Sequence, residues 1–422
     1  MSDGLTRRDA LAAGVGALGV GALAGRTRGQ SGEGLTVATR NCYLGANLFR
    51  LLGAATQGES AVETAVSDLL ETVDRSHVSA RMDAIAAELG RTEPALVGIQ
   101  EAALIRTGEP TSGTTPSATE VRYDFRDLLT TALDDRNLPY RVAATVKTTD
   151  FELPTTVDGE RRGVRLTDRD LILVRDDVTT ASETTGRFDA AVTLSDGGRS
   201  ITVERGYAVV DATVGERVTF CNTHFESASA ETRLEQATEL RTLLEERRDP
   251  VVLVGDLNSG PNGSRGAYDH LTETFRDAAT GVGNTCCHAA GLRNDEVSLA
   301  ARIDHVFVQG ELGATATTRV GADPANRVAV AGDRLWPSDH AGVVATLAPG
   351  AASTETATET PTEAPSPTLT RTATPTRTPE PSDPSIQVSD DTTVELPGFG
   401  ALPATVAVVV AALAARRRAE DD

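Results

Sequence analysis

The order of apolar and polar positions predicts a chain in which strands alternate with helices between residues 35 and 347. The clearest strand lies in residues 251–259, VVLVGDLNS, where four apolar residues and Gly255 precede an acid and an amide. Side chains at i and i+2 of extended backbone point to the same side, so Asp256 and Asn258 are expected to converge on one ligand. Taken alone, the same residues are also ordinary turn chemistry.

Other apolar runs also end in, or lead into, charged or amide side chains, which favours a shared site over an isolated turn. These are residues 35–41 (LTVATRN), 95–101 (ALVGIQE), 218–224 (VTFCNTH) and 302–308 (RIDHVFV), and Ser338-Asp339-His340 before a strand at 341–347. Because these runs are far apart along the chain, only the fold can bring their polar ends together.

Helical periodicity predicts helices at residues 79–89, 125–137 and 231–248, with Gly90 ending the first of them. The last helix is expected to bury one face, formed by Leu234, Ala237, Leu240, Leu243 and Leu244. Further strands are predicted at residues 141–147, 170–175, 201–204 and 206–214. No long Pro- or Ser-rich break interrupts this part of the chain, so we expect one domain at residues 31–349.

In this order the motifs resemble the endonuclease/exonuclease/phosphatase family, which has the deoxyribonuclease I-like fold. The resemblance implies an α/β protein built as a four-layer α/β/β/α sandwich, with a cleft where the motif-bearing strands end. Within the family the chain is most similar to a secreted bacterial and archaeal branch, because it carries NCYLGANL at residues 41–48 and TCC at residues 285–287.

The resemblance also implies a divalent metal site. Glu101 is the expected ligand, since it closes a buried strand where an unpaired carboxylate would be costly. Asn41 is expected beside the metal, where it would orient Glu101 or the phosphate, and Asp339 is expected to coordinate the metal or a water. Magnesium or manganese is the expected cofactor, because oxygen ligands from one or two carboxylates suffice. The family often has Trp before the asparagine, where this chain has Arg40.

By the same resemblance, Asp304 and His340 form the general-base pair. A carboxylate beside an imidazole fixes its tautomer and stabilises the imidazolium. Asp256 and Asn258 are assigned to the attacking water and the phosphate, and His224 to the charge on the phosphoryl group. Whether His224 or Asp256 handles the leaving-group proton stays open at this point.

Two further residues are weaker candidates for substrate binding. Asn222 shares the strand face of His224, and Asp170 stands where relatives usually have a small residue. If Asp170 faces the cleft, it adds negative charge or another metal ligand. The remaining histidines are expected to be structural: His77, His270, His288 and His305, the last on the face opposite to Asp304.

Composition narrows the choice of partners. The net charge is −21, the pI is about 4.8, and Lys147 is the only lysine. This balance suggests a surface adapted to high salt and counts against tight duplex DNA binding, which relies on clustered Lys and Arg. The cysteines, Cys42, Cys221, Cys286 and Cys287, have no zinc-site spacing and allow three pairings, a vicinal one among them.

Both ends of the chain differ in character from the domain. Residues 1–30 resemble a twin-arginine signal. An arginine pair that merely precedes a frayed helix is the alternative interpretation of the same residues. Residues 350–395 form a Thr/Pro-rich stalk, expected to be extended and disordered. Residues 396–422 resemble a PGF sorting signal of salt-adapted archaea, and a retained membrane helix is the alternative. Export machinery, a sorting protease and the membrane are therefore expected partners, with the protein outside the cell.

The sequence thus predicts an exported, surface-attached and monomeric metal-dependent phosphodiesterase, with extracellular nucleic acid as the first substrate to test. A phospholipid or sugar-phosphate ester is the alternative substrate, and a non-catalytic binding module is the second alternative. Specificity is expected in loops at residues 105–121 and 151–168.

Overall fold

The computed structural model describes residues 34–46, 48–111, 115–195 and 200–350. The twin-arginine segment, the stalk from residue 351 onward and the C-terminal sorting segment were predicted for residues outside this part. In the described residues, no helix is both long enough and apolar enough to cross a membrane.

Strands and helices alternate along the described chain. The strands are β1 (Leu35–Asn41), β2 (Leu96–Gln100), β3 (Leu104–Gly108), β4 (Glu120–Asp124), β5 (Tyr140–Val157), β6 (Glu160–Arg175), β7 (Thr179–Arg187), β8 (Val192–Ser195), β9 (Ser200–Val203), β10 (Gly206–Val214), β11 (Glu216–His224), β12 (Val251–Asp256), β13 (Arg276–Asp277), β14 (Asp304–Gln309), β15 (Leu312–Val320), β16 (Val328–Val330), β17 (Asp333–Leu335) and β18 (Gly342–Pro349). The α-helices are α1 (Phe49–Ala55), α2 (Glu59–Arg75), α3 (Val78–Thr92), α4 (Phe125–Asp135), α5 (Ala230–Glu245) and α6 (Gly266–Thr272), and a 3-10 turn spans Pro324–Asn326.

The long strands form two large sheets. The eight-stranded sheet has the order β15-β18-β1-β2-β6-β3-β4, with β5 paired to β6. The six-stranded sheet has the order β13-β14-β12-β11-β10-β7. Two small sheets, β16-β17 and β8-β9, complete the described strands.

Alternation along each strand explains why these sheets stack. In β12, Val252 and Val254 join the apolar layer between the two sheets, whereas Val251 and Leu253 face outward against α5 and α6. The other sheet behaves in the same way, and its outer face packs against the first four helices. The layers are therefore helices, sheet, sheet and helices, and the predicted four-layer α/β/β/α fold is confirmed.

The strand register aligns the polar strand ends in one row. His224 of β11 pairs with Asp256 of β12, and Asp256 pairs with Asp304 of β14. All three occupy inward-facing positions of the alternation that buries Val252 and Val254 between the sheets. The candidate site thus lies at one end of the layer between the sheets.

Two helix predictions need correction. Helix α3 does not end at Gly90 but continues to Thr92, and Glu93 adopts the left-handed conformation that terminates it. A side chain at position 90 would meet Leu138 Cδ1 at 3.0 Å, so this glycine permits close packing instead of ending the helix. In α5, Leu234 is 39% exposed, so it does not belong to the predicted apolar face.

Polar residues replace Leu234 on the buried face of α5. Gln236 is fully buried, and its side chain accepts from Glu226 N and donates to Ala190 O. Arg233 is also buried and donates to Glu226 O. A search for apolar periodicity alone cannot detect a face of this kind.

One of the two predicted specificity loops consists mainly of strands. Residues 105–121 leave β3 after Gly108 and reach β4 only at Glu120, whereas residues 151–168 belong to the long β5-β6 hairpin. Asp158 and Gly159 form the tip of that hairpin with positive φ angles, which is the favoured chemistry of a two-residue turn. The hairpin therefore brings its side chains to the site as a fixed wall.

We expect the contact between the sheets to be intolerant of added volume at Gly98 in β2. An added Cβ would lie 2.5 Å from Asn222 Oδ1 and 2.6 Å from Val254 Cγ2, so Gly98→Ala should reduce the free energy of unfolding by about 1–3 kcal/mol. Gly53→Ala in α1, where nothing lies within 4 Å, is the matched control and should be neutral or slightly stabilising. Urea denaturation in molar salt measures both; equal stability of the two variants would contradict this packing.

Candidate active site

One amide joins the two sheets at the site. Asn41 Nδ2 donates to Glu101 Oε1 and to Asp256 Oδ2, at 3.1 Å in each case. Asn41 Oδ1 accepts from the backbone N–H of Tyr43 at 2.7 Å, which fixes the orientation of the amide. The amide oxygen of Asn41 faces Tyr43 and the amide nitrogen faces the carboxylates. Asn41 therefore positions the two acids, and its oxygen points away from the place where they would hold a metal ion.

Glu101 follows the last residue of β2 and has a φ of 57°, in the left-handed region. Its Oε2 accepts from the backbone N–H of Leu44 at 2.7 Å, so both carboxylate oxygens are held. Asn258, which follows β12, has a φ of 47°. Such a conformation costs roughly 1–2 kcal/mol for most residues with a side chain and less for asparagine, so the contacts around Glu101 must hold its backbone in place.

His340 and Asp304 form a direct pair. His340 Nδ1 donates to Asp304 Oδ2 at 2.9 Å and lies 3.7 Å from Asp256 Oδ2. His340 Nε2 lies 3.9 Å from Asp339 Oδ1 and 3.7 Å from Cys287 Sγ. Burial alone would lower the pKa of His340, but the nearby acids, Asp304 first, hold this pKa well above its usual value.

His224 has the opposite electrostatic environment. Its Nδ1 lies 3.0 Å from Arg205 Nη1, and burial together with that cation holds its pKa well below the usual value. Since a guanidinium only donates, Nδ1 accepts and the neutral ring carries its proton on Nε2. That Nε2 lies 3.6 Å from Asp256 Oδ2 and 3.2 Å from Asn258 Nδ2, whose other contact is a donation to Phe225 O at 2.9 Å. His224 is therefore a neutral hydrogen-bond donor at the site.

The acids of the site repel one another. Burial, with Asp304 and Glu101 nearby, raises the pKa of Asp256 to about 7, and burial with Glu101 raises the pKa of Asp339 to about 7. Asp304 Oδ1 is buried and has no hydrogen-bond partner. Such a group of carboxylates is stabilised by positive charge.

These residues fit a hard divalent cation. Asp256, Asp304 and His340 place one ligand atom each within 4.8 Å of one another, and Glu101 is tied to Asp256 through Asn41. Carboxylate oxygens are the ligands that magnesium and manganese prefer. Glu101, Asp339 and the unpartnered oxygen of Asp304 are thus the groups available to hold the ion.

Two predicted substrate-binding residues have other positions. Asn222 is fully buried between the sheets, where Nδ2 donates to Ile99 O and Leu171 O and Oδ1 accepts from Gln100 Nε2 at 2.6 Å. It shares the strand face of His224, as predicted, but it pairs with Val254 and therefore lies deeper between the sheets than His224, which pairs with Asp256. Asp170 is also fully buried and sits behind Glu101, accepting from its backbone N–H at 3.3 Å, with Oδ2 unpartnered. Burial and Asp168 raise the pKa of Asp170.

Sequence analysis did not find three arginines that support the site. Arg205 lines the cavity, is mostly buried, and lies 3.6 Å from Asp168 and 3.8 Å from Glu226. Arg40 binds Glu88 of α3 and donates to the backbone carbonyl of His340. Arg81 donates to Cys42 O, Tyr43 O and Pro337 O. Arg40 and Arg81 lie within predicted elements and Arg205 lies between two predicted strands, but no motif marks their roles, so only tertiary contacts identify them.

Two of the four cysteines and one further histidine, His288, also lie at the site. Cys286 and Cys287 are joined by a vicinal disulfide beside His340, whereas Cys42 and Cys221 are buried and free. His305 lies on the outer side of its strand, as predicted, and its Nε2 contacts Ser259 O at 2.9 Å. His288 stacks on Trp336 and also lines the cavity.

The site opens into one cavity. Its polar end is formed by Glu101, Asp256, Asp339, His340 and His224, with Asn258 and Arg205 beside them. Most of the other lining residues are apolar. Among the described residues that line this cavity, Arg205 is the one Arg or Lys.

Comparison with known proteins identifies the class. Residues 72–340 match the Endonuclease/Exonuclease/phosphatase family, and no curated protein matches the chain. The chain belongs to this family of phosphoester hydrolases, whose enzymes depend on divalent metal ions.

Similar solved structures include an endonuclease/exonuclease/phosphatase family protein from Bacteroides thetaiotaomicron (18% identity, 74% of this chain and 97% of that chain, TM-score 0.45). They also include the mannosyl-6-phosphatase Bt3783 of the same organism (17%, 74% and 99%, TM-score 0.43). A third is truncated Caenorhabditis elegans TDP2 (17%, 74% and 96%, TM-score 0.41).

We expect Asn222 to support the fold and not the reaction. Asn222→Leu should lower the free energy of unfolding by about 1–3 kcal/mol, because it removes buried hydrogen bonds to Gln100 and to two backbone carbonyls, while kcat per folded molecule is retained. Gln57→Leu, which replaces an exposed amide with one local hydrogen bond, is the control for the change of an amide to leucine. A large loss of kcat in Asn222→Leu at unchanged stability would instead assign Asn222 to the substrate.

Proposed function

We propose that the protein is a magnesium- or manganese-dependent phosphodiesterase that hydrolyses its substrate by direct attack of water. The observation that carries the proposal is the bridge from Asn41 Nδ2 to both Glu101 and Asp256, on the same cavity as the His340–Asp304 pair. That arrangement supplies acids for a cation, a base and a hydrogen-bond donor within one cleft.

Glu101 and Asp339 would hold the cation, with the free oxygen of Asp304 available to it. When bound, the ion would neutralise negative charge on the phosphoryl oxygens and on the surrounding carboxylates. Asn41 keeps Glu101 and Asp256 in fixed positions, so little rearrangement of these side chains is needed before the reaction.

His340 is proposed as the general base in the metal-bound protein, where a cation would offset the acids that raise the pKa of the ring. Its Nδ1 is occupied by Asp304, which leaves Nε2 to take a proton from water as the water oxygen attacks phosphorus. Asp256 and Asn258 orient that water and the phosphate, and the bond from phosphorus to the leaving alcohol oxygen breaks. The alcohol leaves with a proton, and the phosphate keeps the oxygen of the water.

His224 is proposed to stabilise the phosphoryl group. Its neutral ring carries the proton on Nε2, which faces Asp256 and the cavity, and Arg205 behind it keeps the ring from becoming a cation. The same proton is in position to reach the leaving oxygen. This favours His224 over Asp256, whose Oδ2 already accepts from Asn41, as the donor to the alcohol.

Extracellular nucleic acid was the first substrate predicted from the sequence, and the cavity gives it little support. Among the lining residues that the structure describes, Arg205 is the one permanent cation, and it is already engaged with Asp168 and Glu226. Polynucleotide binding usually requires several phosphate contacts from Lys and Arg. A smaller phosphoester, such as a lipid or sugar-phosphate ester, therefore fits the cavity better.

We also propose export and attachment at the cell surface, in a salt-rich medium. The proposal is supported by the twin-arginine pattern, the Thr/Pro-rich segment, the PGF-type tail and the net charge of −21. A non-catalytic binding module is the other possibility weighed from the sequence. Occupation of every predicted catalytic position speaks against it.

Hydrolysis of bis(p-nitrophenyl) phosphate in molar salt tests the proposed function. We expect activity with magnesium or manganese, loss of activity with EDTA, and a loss of about 10²–10⁴-fold in kcat for His340→Ala, because the general base is removed. His270→Ala, in α6 and away from the cavity lining, is the matched control and should retain activity. Activity that persists both with EDTA and in His340→Ala would contradict the assignment, and no hydrolysis of any phosphoester would favour the binding module.

A further inference from the structure

The cavity at the site has two chemically different ends. Opposite the acids and histidines, its wall is apolar and is formed by Leu48, Leu51 and Phe151 on one side. Val192 and Ile201, from the small β8-β9 sheet, add to that wall on another side. Hydrolysis of a phosphate group does not require such a wall, so it calls for a separate explanation.

A second cavity continues the apolar wall away from the acids. The two cavities share a set of lining residues, which we call the apolar channel: Leu44, Ala46, Leu48, Leu51 and Phe151. Beyond the channel, the inner cavity lies between α2, β3 and the β5-β6 hairpin, and every residue that lines it is apolar. The channel starts directly at the acids, because the backbone N–H of Leu44 donates to Glu101 Oε2 at 2.7 Å.

Water is a poor occupant for this inner cavity. A buried water needs two to four polar partners, and the lining side chains offer none. A hydrocarbon chain in this cavity would make dispersion contacts with its walls and would be removed from water at the same time.

We propose that the substrate is a phosphodiester in which the alcohol that stays on the phosphate carries a hydrocarbon chain, with the phosphate at the acids and the chain in the apolar channel and the inner cavity. This inference rests on the proposed phosphodiesterase function and narrows its substrate class. The continuity of the two cavities through Leu44, which contacts Glu101, is what connects the chain to the reacting phosphate.

The distribution of charged side chains in the cavity also supports a substrate with one phosphate and a hydrocarbon chain. The part of the cavity near the acids has Arg205 as its one permanent cation among the described lining residues, which suits a single phosphate group. Phe151 and Leu153 enter the inner cavity from a paired strand, so the wall is preorganised and does not have to close over the ligand.

The test uses the full chain and a series of soluble diesters, methyl, butyl, hexyl and octyl 4-nitrophenyl phosphate, with magnesium in molar salt. If the chain enters the channel, kcat/KM should rise by roughly fourfold for each added methylene until the inner cavity is full. Release of 4-nitrophenolate gives all rates with the same leaving group, so only the alkyl chain differs.

Two variants with opposite effects locate the chain. Val66→Phe introduces a larger side chain that fills part of the inner cavity, so the rise in kcat/KM should stop at a shorter chain. Leu69→Ala introduces a smaller side chain that enlarges the cavity, so the rise should extend to a longer chain. Leu234→Phe, at a position of α5 that is 39% exposed and lines neither cavity, controls for the introduced phenylalanine and should leave the chain-length profile as in the parent. If Val66→Phe does not fold, Leu69→Ala still decides the question.

The outcomes separate this inference from the proposed function. No hydrolysis of any ester, including the methyl ester, would mean that the proposed function itself is wrong. If the methyl ester is hydrolysed and kcat/KM does not rise with longer alkyl chains, only the inference about the hydrocarbon chain is overturned. A gain that neither Val66→Phe nor Leu69→Ala alters would also overturn it, because the chain would then bind elsewhere.

Discussion

Several acids are buried together at one end of the layer between the sheets, and the rest of the site must compensate their mutual repulsion. Burial and mutual proximity raise the pKa values of Asp256 and Asp339 to about 7, and they leave one oxygen of Asp304 without a partner. His340 and the amide of Asn41 supply part of the compensation. A divalent cation would supply the rest, so the same arrangement of acids that opposes folding becomes the basis of the chemistry.

The fold holds these acids where they would otherwise separate. Pairing of His224 with Asp256, and of Asp256 with Asp304, sets their order across three strands, and the apolar layer behind them prevents a shift of register. Helix α3 acts from the outer face through two buried arginines. Arg40 links Glu88 to the carbonyl of His340. Arg81 holds Cys42 O and Tyr43 O, which follow β1, and Pro337 O, which precedes His340. Stability and function therefore share the same contacts.

Much of the fold and site could be predicted from the sequence, because strands buried on both faces have a simple apolar signature and their polar ends carry motifs. The prediction failed where polar residues are buried by tertiary contacts, as with Gln236 on the inner face of α5 and Asn222 between the sheets. It also failed for the β5-β6 hairpin, since its tip at Asp158 and Gly159 was not recognised as a turn. Arg205 and the apolar channel have no local signal, because they arise only when distant segments meet.

Titration of manganese followed by electron paramagnetic resonance, in molar salt and without substrate, tests the central claim most directly. We expect saturable binding of Mn²⁺ that magnesium displaces, and a loss of affinity of about 10²-fold or more in Glu101→Gln, since that change keeps the shape and removes the charge of the side chain that Asn41 and Leu44 hold in place. Glu235→Gln, on the exposed side of α5, should bind Mn²⁺ like the parent. Equal affinity in Glu101→Gln and the parent, or no specific binding in either, would contradict the account.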